Sequence, residues 1–306
     1  MQATIQMIED FSLNAWPSHQ IQFYDGWLLR FSYFYTHRTN SVEQIGPSSI
    51  PLEEKIDFCE DAYRRWGTPA IFKITPLLPE DFEQRLIRRN YQVQHITQVM
   101  LLDYAGWFTQ KPEVPVLLER TINDRWINGL FSLKGTTNAI HRQIVPSMYR
   151  AIPKETISAS VSNTKGQIIA IGLGILDRDY IGIYAIHVHP RYRGRGLARS
   201  ICRALLDAGN QRGLSGAYLQ VVEGKAFPRK LSTALWASGF LQILVPDKGT
   251  VLTAYKKEFR KKRRPWKFST PATFVLLFIY LSDIFQLLLI AFFFIASVRT
   301  YGNRFP

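Results

Sequence analysis

Residues 188–198 read VHPRYRGRGLA, and the reading of this stretch decides the fold. Three arginines, two glycines and a proline stand between an apolar, strand-like run ending IYAIHV (183–188) and a helical run. The helical run, from about 196 to 212, places Leu197, Ile201, Leu205 and Ala208 at i, i+4, i+8 and i+11, along one face of a helix. A helix N-terminus leaves N–H groups unpaired and carries about half a positive charge. Gly194 and Gly196 remove side chains where an anion must approach backbone. Arg191, Arg193 and Arg195 add charge, and Arg grips phosphate oxygens through two parallel bonds. The order strand, glycine turn, amphipathic helix therefore predicts a pyrophosphate cradle. A solvated basic turn or a nucleic-acid segment would not need those flanks.

Working outward, the body of the chain alternates strands and helices. DGWLLRFSYFY (25–35) and THRTNSVEQI (36–45) read as strands, and PLEEKIDFCEDAYRRWG (51–67) as a helix ending at Gly67. PAIFKIT (69–75) is a strand, PEDFEQRLIRRNY (79–91) a helix with Pro and acids in its first turn, and VQHITQVMLLDY (93–104) a strand. Three β-rich runs follow over 156–190, separated by the turns NTKG and DRDY. Beyond the 196–212 helix come a strand at 216–222, a helix near 228–238 and a strand at 239–245. The order helix, strand, helix, strand occurs in both halves, and RRNYQV (88–93) parallels ASGFLQ (237–242). This pattern predicts an internal duplication within a mixed α/β fold.

At 188–198 the sequence resembles the GCN5-related N-acetyltransferase (GNAT) superfamily. That superfamily's signature, Q/R-x-x-G-x-G/A, is met by Arg193, Gly196 and Ala198, and Val188 and Pro190 also match. The resemblance extends over about 120–255, through GAYLQVV (216–222) and the G-F turn of ASGF. DGWLLRF and THRTNSV more loosely resemble the first half of tandem proteins of that kind. The resemblance implies a GNAT fold in an α+β mixed sheet, with a degenerate GNAT-like half at 1–105 and an acetyl-CoA-binding domain at 106–255. It implies acetyl-CoA as co-substrate, its pyrophosphate meeting Arg193, Gly194, Arg195, Gly196, Leu197 and Ala198. Its pantetheine arm would lie beside Ile186 and Val188, and the N–H near Val188 would polarise the thioester carbonyl. An unknown amine would attack directly, making the protein an N-acetyltransferase.

The sequence departs from that pattern in two places. Leu235 stands where most active members carry a tyrosine that protonates the leaving thiolate, and Pro228 where an asparagine commonly grips the cofactor. Tyr218 and Tyr255 are alternative acids. A thiol leaves tolerably well unaided, since its pKa is about 8–9. Loss of one acid therefore slows transfer rather than abolishing it; the alternative is a catalytically weakened acyl-CoA-binding module at the membrane. No acid lies in YIGIYAIHV, so His187, which titrates near neutral pH, is the candidate base, ahead of His189 and Glu223. The first half has a single Gly in NSVEQIGPSSIPLEE and no G-x-G turn, so it is not expected to hold a second CoA.

The last fifty residues differ in character. The formal net charge is +14, and KKEFRKKRRPWK (256–267) holds eight basic residues against one Glu. From Thr273 to Val298 eighteen of 26 residues are Phe, Leu, Ile or Val, with Asp283 the single charge. About 20 mostly apolar residues span a bilayer. A C-terminal transmembrane helix within 268–306 is therefore expected, with 256–267 as a basic juxtamembrane linker on anionic lipid. Nucleic acid is the weaker reading of that run. The protein would sit at the cytoplasmic face of a membrane; the alternative is a cytoplasmic protein. Asp283 and Gln286 share one face and offer an oligomer contact. The N-terminus has no secretory signal pattern. Cys59 and Cys202 form no CxxC pair or zinc spacing, so no metal is expected.

Overall fold

A computed structural model describes residues 2–109, 111–222, 241–244 and 251–256 of the 306-residue chain. The chain opens with helix α1 (Gln2–Ala15), the hairpin β1 (Gln20–Tyr24) and β2 (Trp27–Phe31), and strand β3 (Val42–Gln44). Helix α2 (Leu52–Arg65), strand β4 (Ile71–Ile74), helix α3 (Phe82–Arg88) and the long strand β5 (Tyr91–Asp103) follow. The second part begins with β6 (Leu117–Glu119), α4 (Asp124–Lys134) and α5 (Ala139–Arg150). It continues through β7 (Glu155–Ser162), β8 (Ile168–Asp177), β9 (Tyr180–Val188), α6 (Leu197–Asn210) and β10 (Gly216–Val222) to β11 (Leu241–Leu244) and β12 (Val251–Lys256).

These strands form one sheet in the order β1-β2-β3-β4-β12-β5-β10-β9-β8-β7-β6, with β11 also paired to β5. Among the described residues only β3–β4 and β9–β10 run parallel. Each parallel pair is bridged by a helix, α2 in the first half and α6 in the second, as parallel strands require. Each half thus contains one β-α-β unit. Each unit is closed by a strand from the other half: β12 pairs with β4, and β5 pairs with β10. The expected halves, 1–105 and 106–255, therefore share one sheet, and residues 1–259 form one compact unit.

The two faces of the second half bury different cores. On one face α6 lays Leu197, Ile201 and Leu205 against Ile181, Ile183, Met100 and Leu102. On the other, Trp126, Leu130, Val145 and Tyr149 of α4 and α5 meet Tyr184 and Tyr218. Helix α1 joins that second core through Ile8, Phe11 and Ala15, and the Phe11 ring stacks on Tyr218.

Helices α1, α4 and α5 and strands β1, β6 and β12 were not among the sequence expectations. Helix α4 has clear signals: Asn123 caps it by accepting the Trp126 N–H at 2.9 Å, and Gly135 ends it at φ 62°. The expected strand 36–45 is instead a loop with a short 3-10 turn at His37–Thr39 before β3. The helix expected near 228–238, Leu235, Pro228, and the tail from 257 on, with Asp283 and Gln286, lie outside the described residues. Among the described residues no helix is long and apolar enough to cross a membrane.

Candidate functional site

The site begins where β9 parts from β10. Their parallel ladder runs from Gly216↔Tyr180 to Leu219↔Ile183 and stops, although β9 continues to Val188 and β10 to Val222. The cause is a bulge. Ala185 and Ile186 together oppose Gly172 of β8, and Ala185 takes a left-handed φ of 49°. Gly172 is small because it must be: a Cβ there would lie 2.4 Å from Ile201 and 2.7 Å from Ile186. Its carbonyl accepts the Trp126 indole N–H at 3.2 Å.

Beyond the bulge the edge of β9 is open. The His189 N–H donates to Ile169 of β8 at 2.9 Å. Successive amides of a strand point to opposite edges, so the Val188 N–H points away from β8, toward the gap. The chain then makes a 3-10 turn at Pro190–Tyr192, which His189 caps through Nδ1 by accepting the Arg191 N–H at 3.2 Å.

The glycine turn follows. Gly194 (φ 78°) and Gly196 (φ 72°) both adopt left-handed backbone, and Gly196 is the N-cap of α6 with no side chain to cap it. The first-turn N–H groups of α6 are thus left for an anion. Arg191, Arg193 and Arg195 are exposed around this turn. Arg193 reaches back to donate to the Val188 carbonyl at 3.4 Å, and Arg195 lies over the Tyr192 ring.

A carboxylate stands close by, paired with arginine side chains of α6. A Cβ on Gly196 would fall 2.2 Å from Glu113 Oε2, and Glu113 Oε1 is 2.6 Å from Arg199 Nη2. Glu113 belongs to the segment between β5 and β6, whose Val114 and Val116 pack on the α6 core. The equivalent turn of the first half is closed by its own carboxylate. Asp25 accepts the N–H groups of Ser49 and Ile50 at 2.8–3.0 Å, just before α2, and pairs with Lys55 at 3.3 Å. The Ile50 and Ser49 N–H groups hold that carboxyl well below the usual carboxylate range.

On the face opposite α6, a cavity of about 350 Å³ lies against the diverging end of β10, walled there by Gln220 and Val222. Strand β5 contributes His95 and Thr97, and the β2–β3 loop contributes Tyr35, His37 and Arg38. Asn40, fully buried, holds that loop. Its Oδ1 accepts the Ser32 and Phe34 N–H groups at 2.5 and 3.1 Å, and its Nδ2 donates to the Thr36 carbonyl at 2.6 Å. The floor is a buried ion network: Glu43 pairs with Arg30 and, at 3.2 Å, with Lys73, and Lys73 also pairs with Glu9. Burial pulls Glu43 up, but Arg30 and Lys73 outweigh it and hold the carboxyl below its usual range. The rings of His37 and His95 meet at 4.9 Å. Burial, and then His95, hold the His37 imidazole below its ordinary value, so it is neutral near pH 7.

Residues 2–238 match the family described as "Probable histone acetyltransferase Rv0428c C-terminal". The chain belongs to this acetyltransferase family, within the GNAT superfamily. It is similar to the "Uncharacterized N-acetyltransferase YobR" of Bacillus subtilis (strain 168), 24% identical over 225 residues, which cover 72% of this chain and 88% of YobR. The solved GCN5-related N-acetyltransferase from Kribbella flavida matches at TM-score 0.57 and 12% identity, over 83% of this chain and 95% of its own. A tandem GNAT protein from the clavulanic acid biosynthesis pathway matches at TM-score 0.53 and 13% identity, over 70% of this chain and 73% of its own.

In this GNAT chain, Ile186, Val188 and Arg193–Ala198 fall in one continuous feature, the open β9 edge and the α6 N-terminus. His187 is half-buried on β9 and is not among the residues walling the cavity. Tyr218 is buried in the closed part of the ladder, its hydroxyl against that of Tyr184, and burial pushes it far above the usual phenol range. The cavity wall from the first half, with His37 and Arg38, was missed by sequence reasoning. Its signal was present only as the run THR inside an expected strand; the strand exchange that brings it to β10 has no local signature.

Proposed function

We propose that the chain transfers an acetyl group from acetyl-CoA to a primary amine, with donor and acceptor meeting at the gap between β9 and β10. The observation that carries this is the uncapped α6 N-terminus continuous with an open strand edge. Bound there, acetyl-CoA supplies an activated thioester. The fit rests on the left-handed Gly196, the uncapped N-cap of α6, where the absence of a Cβ leaves the approach to the first-turn N–H groups clear up to the Glu113 carboxylate. The first-turn N–H groups of α6 hold the pyrophosphate, with Arg193 and Arg195 around them. The Ile186–Val188 edge pairs with the pantetheine arm as an added strand would. The Val188 N–H polarises the acetyl carbonyl.

The acceptor enters through the cavity on the opposite face. We assign the general base to His37 rather than His187, because His37 walls that cavity and is neutral at pH 7. The first half is not assigned a donor: Asp25 already occupies the turn before α2, accepting the Ser49 and Ile50 N–H groups. A tail that inserts in the membrane through 268–306, attracts anionic lipid through 256–267 and pairs with a second copy through Asp283 and Gln286 is carried by sequence alone. Release of full-length protein from membranes by alkali would overturn the insertion.

The test is a panel of amine acceptors mixed with full chain and acetyl-CoA, reading free CoA thiol. Acceptor-dependent thiol release is expected. Binding of acetyl-CoA with no release for any amine would leave a CoA-binding module in place of the enzyme.

A further inference from the structure

One cation of the acceptor cavity lacks a counter-charge. Arg30 and Lys73 spend their charge on Glu43 and Glu9. Arg38, on the same wall, has no carboxylate partner among the described residues. Its guanidinium lies over the Trp16 ring, 5.7 Å from the centroid. Arg38 shares the cavity wall with Gln220 and Val222, at the end of β10 that has parted from β9. A second cation, Lys134, donates at 2.6 Å to the hydroxyl of Tyr35, which is on the same cavity wall. Burial draws the Arg38 guanidinium below its ordinary value. A half-buried, unpaired charge is costly, and the cost is removed when a ligand supplies the opposite charge.

Resting on the transferase reading above, we propose that the acceptor is a small amine that carries its own carboxylate, and that Arg38 binds that carboxylate. A single guanidinium fork matches the two oxygens of a carboxylate. At about 350 Å³ the cavity is near the lower end of the roughly 300–1,000 Å³ typical of small-molecule sites. A polybasic peptide tail would instead set like charges against Arg38 and Lys134. Arg38 is a specificity-determining residue: it orients the acceptor and takes no part in proton transfer.

The experiment compares four acceptors on full-length protein with acetyl-CoA: an amino acid, its amide, an amine bearing a phosphate monoester in place of the carboxylate, and a lysine-rich peptide. The amino acid is expected to exceed the amide by about tenfold or more in kcat/KM. Arg38→Gln should raise the KM for the amino acid by about 10- to 100-fold, the scale of a lost charged hydrogen bond. It should leave the KM values for the amide and for acetyl-CoA within about twofold, and Arg38→Lys should restore part of the loss. An amide or peptide used as well as the amino acid, or equal loss on all acceptors in Arg38→Gln, overturns the inference. So does preference for the phosphate. If no amine is acetylated, the transferase reading fails. The carboxylate claim is then read separately, by calorimetric titration of the amino acid into wild type and Arg38→Gln with CoA present; no heat, or equal affinity, overturns it.

Discussion

At the scale of single residues, the two halves differ by how an anion meets a helix N-terminus. In the first half Asp25 is fixed by two backbone N–H groups and Lys55. In the second, Glu113 comes from a neighbouring segment and holds only partly exposed arginines, with Arg199 38% exposed. Such an exposed pair is worth about 0.2–1 kcal/mol. Glu113→Gln should therefore tighten acetyl-CoA binding by up to about fivefold, read by calorimetry; weaker binding would mean that Glu113 supports the cradle instead. His37 has its own signature. Its depressed pKa means that the base is lost as pH falls through a value below the ordinary ~6.5. With rates expressed per free amine, kcat/KM should be flat near pH 7 and fall on the acid side. His37→Gln should remove that limb and cost about 10²–10⁴-fold. An unchanged limb in the variant would return the role to another group.

At the scale of elements, the bulge in β9 is what turns a closed sheet into a site. It depends on Gly172, which lets Ile186 and Ile201 cross above it. Gly172→Ala should push α6 away from the sheet, costing about 1–3 kcal/mol of stability as overpacking does. It should also weaken acetyl-CoA binding, although it touches no phosphate; unchanged binding would separate the cradle from the bulge. This level also shows what the sequence discloses. The glycine turn, α6, β9 and β10 are local patterns, and VHPRYRGRGLA gives them nearly to the residue. Helix α4 carried an Asn cap and a Gly stop that went unread beside the stronger β signals. Residues 36–41 were misread as strand because the loop is set by Asn40, whose contacts reach back eight residues to Ser32 and leave no local pattern.

At the scale of the whole described molecule, the two β-α-β units exchange their closing strands. β10 lies beside β5, and β4 beside β12. This exchange brings the β2–β3 loop beside the diverging end of β10, so the cavity is walled by residues of both halves. No single-sequence periodicity carries that information, because pairing partners far apart in sequence leave no mark on local pattern. A fragment 106–306 expressed alone lacks β5 and α1, leaving the β10 edge and Tyr218 uncovered. It should show no cooperative thermal unfolding, while co-expression with 1–105 should restore it. A fragment that folds alone with a sharp transition would contradict the exchange.

We place one donor site per chain, at the α6 N-terminus. Calorimetric titration of acetyl-CoA into the full chain, wild type and Gly196→Val, tests it most directly. At φ 72° a branched side chain is strained by about 1–2 kcal/mol, and its Cβ would occupy the anion position. The account predicts one site per wild-type chain and no measurable binding to a variant that keeps its circular dichroism spectrum. Two sites, no wild-type binding, or equal affinity in the variant would contradict it.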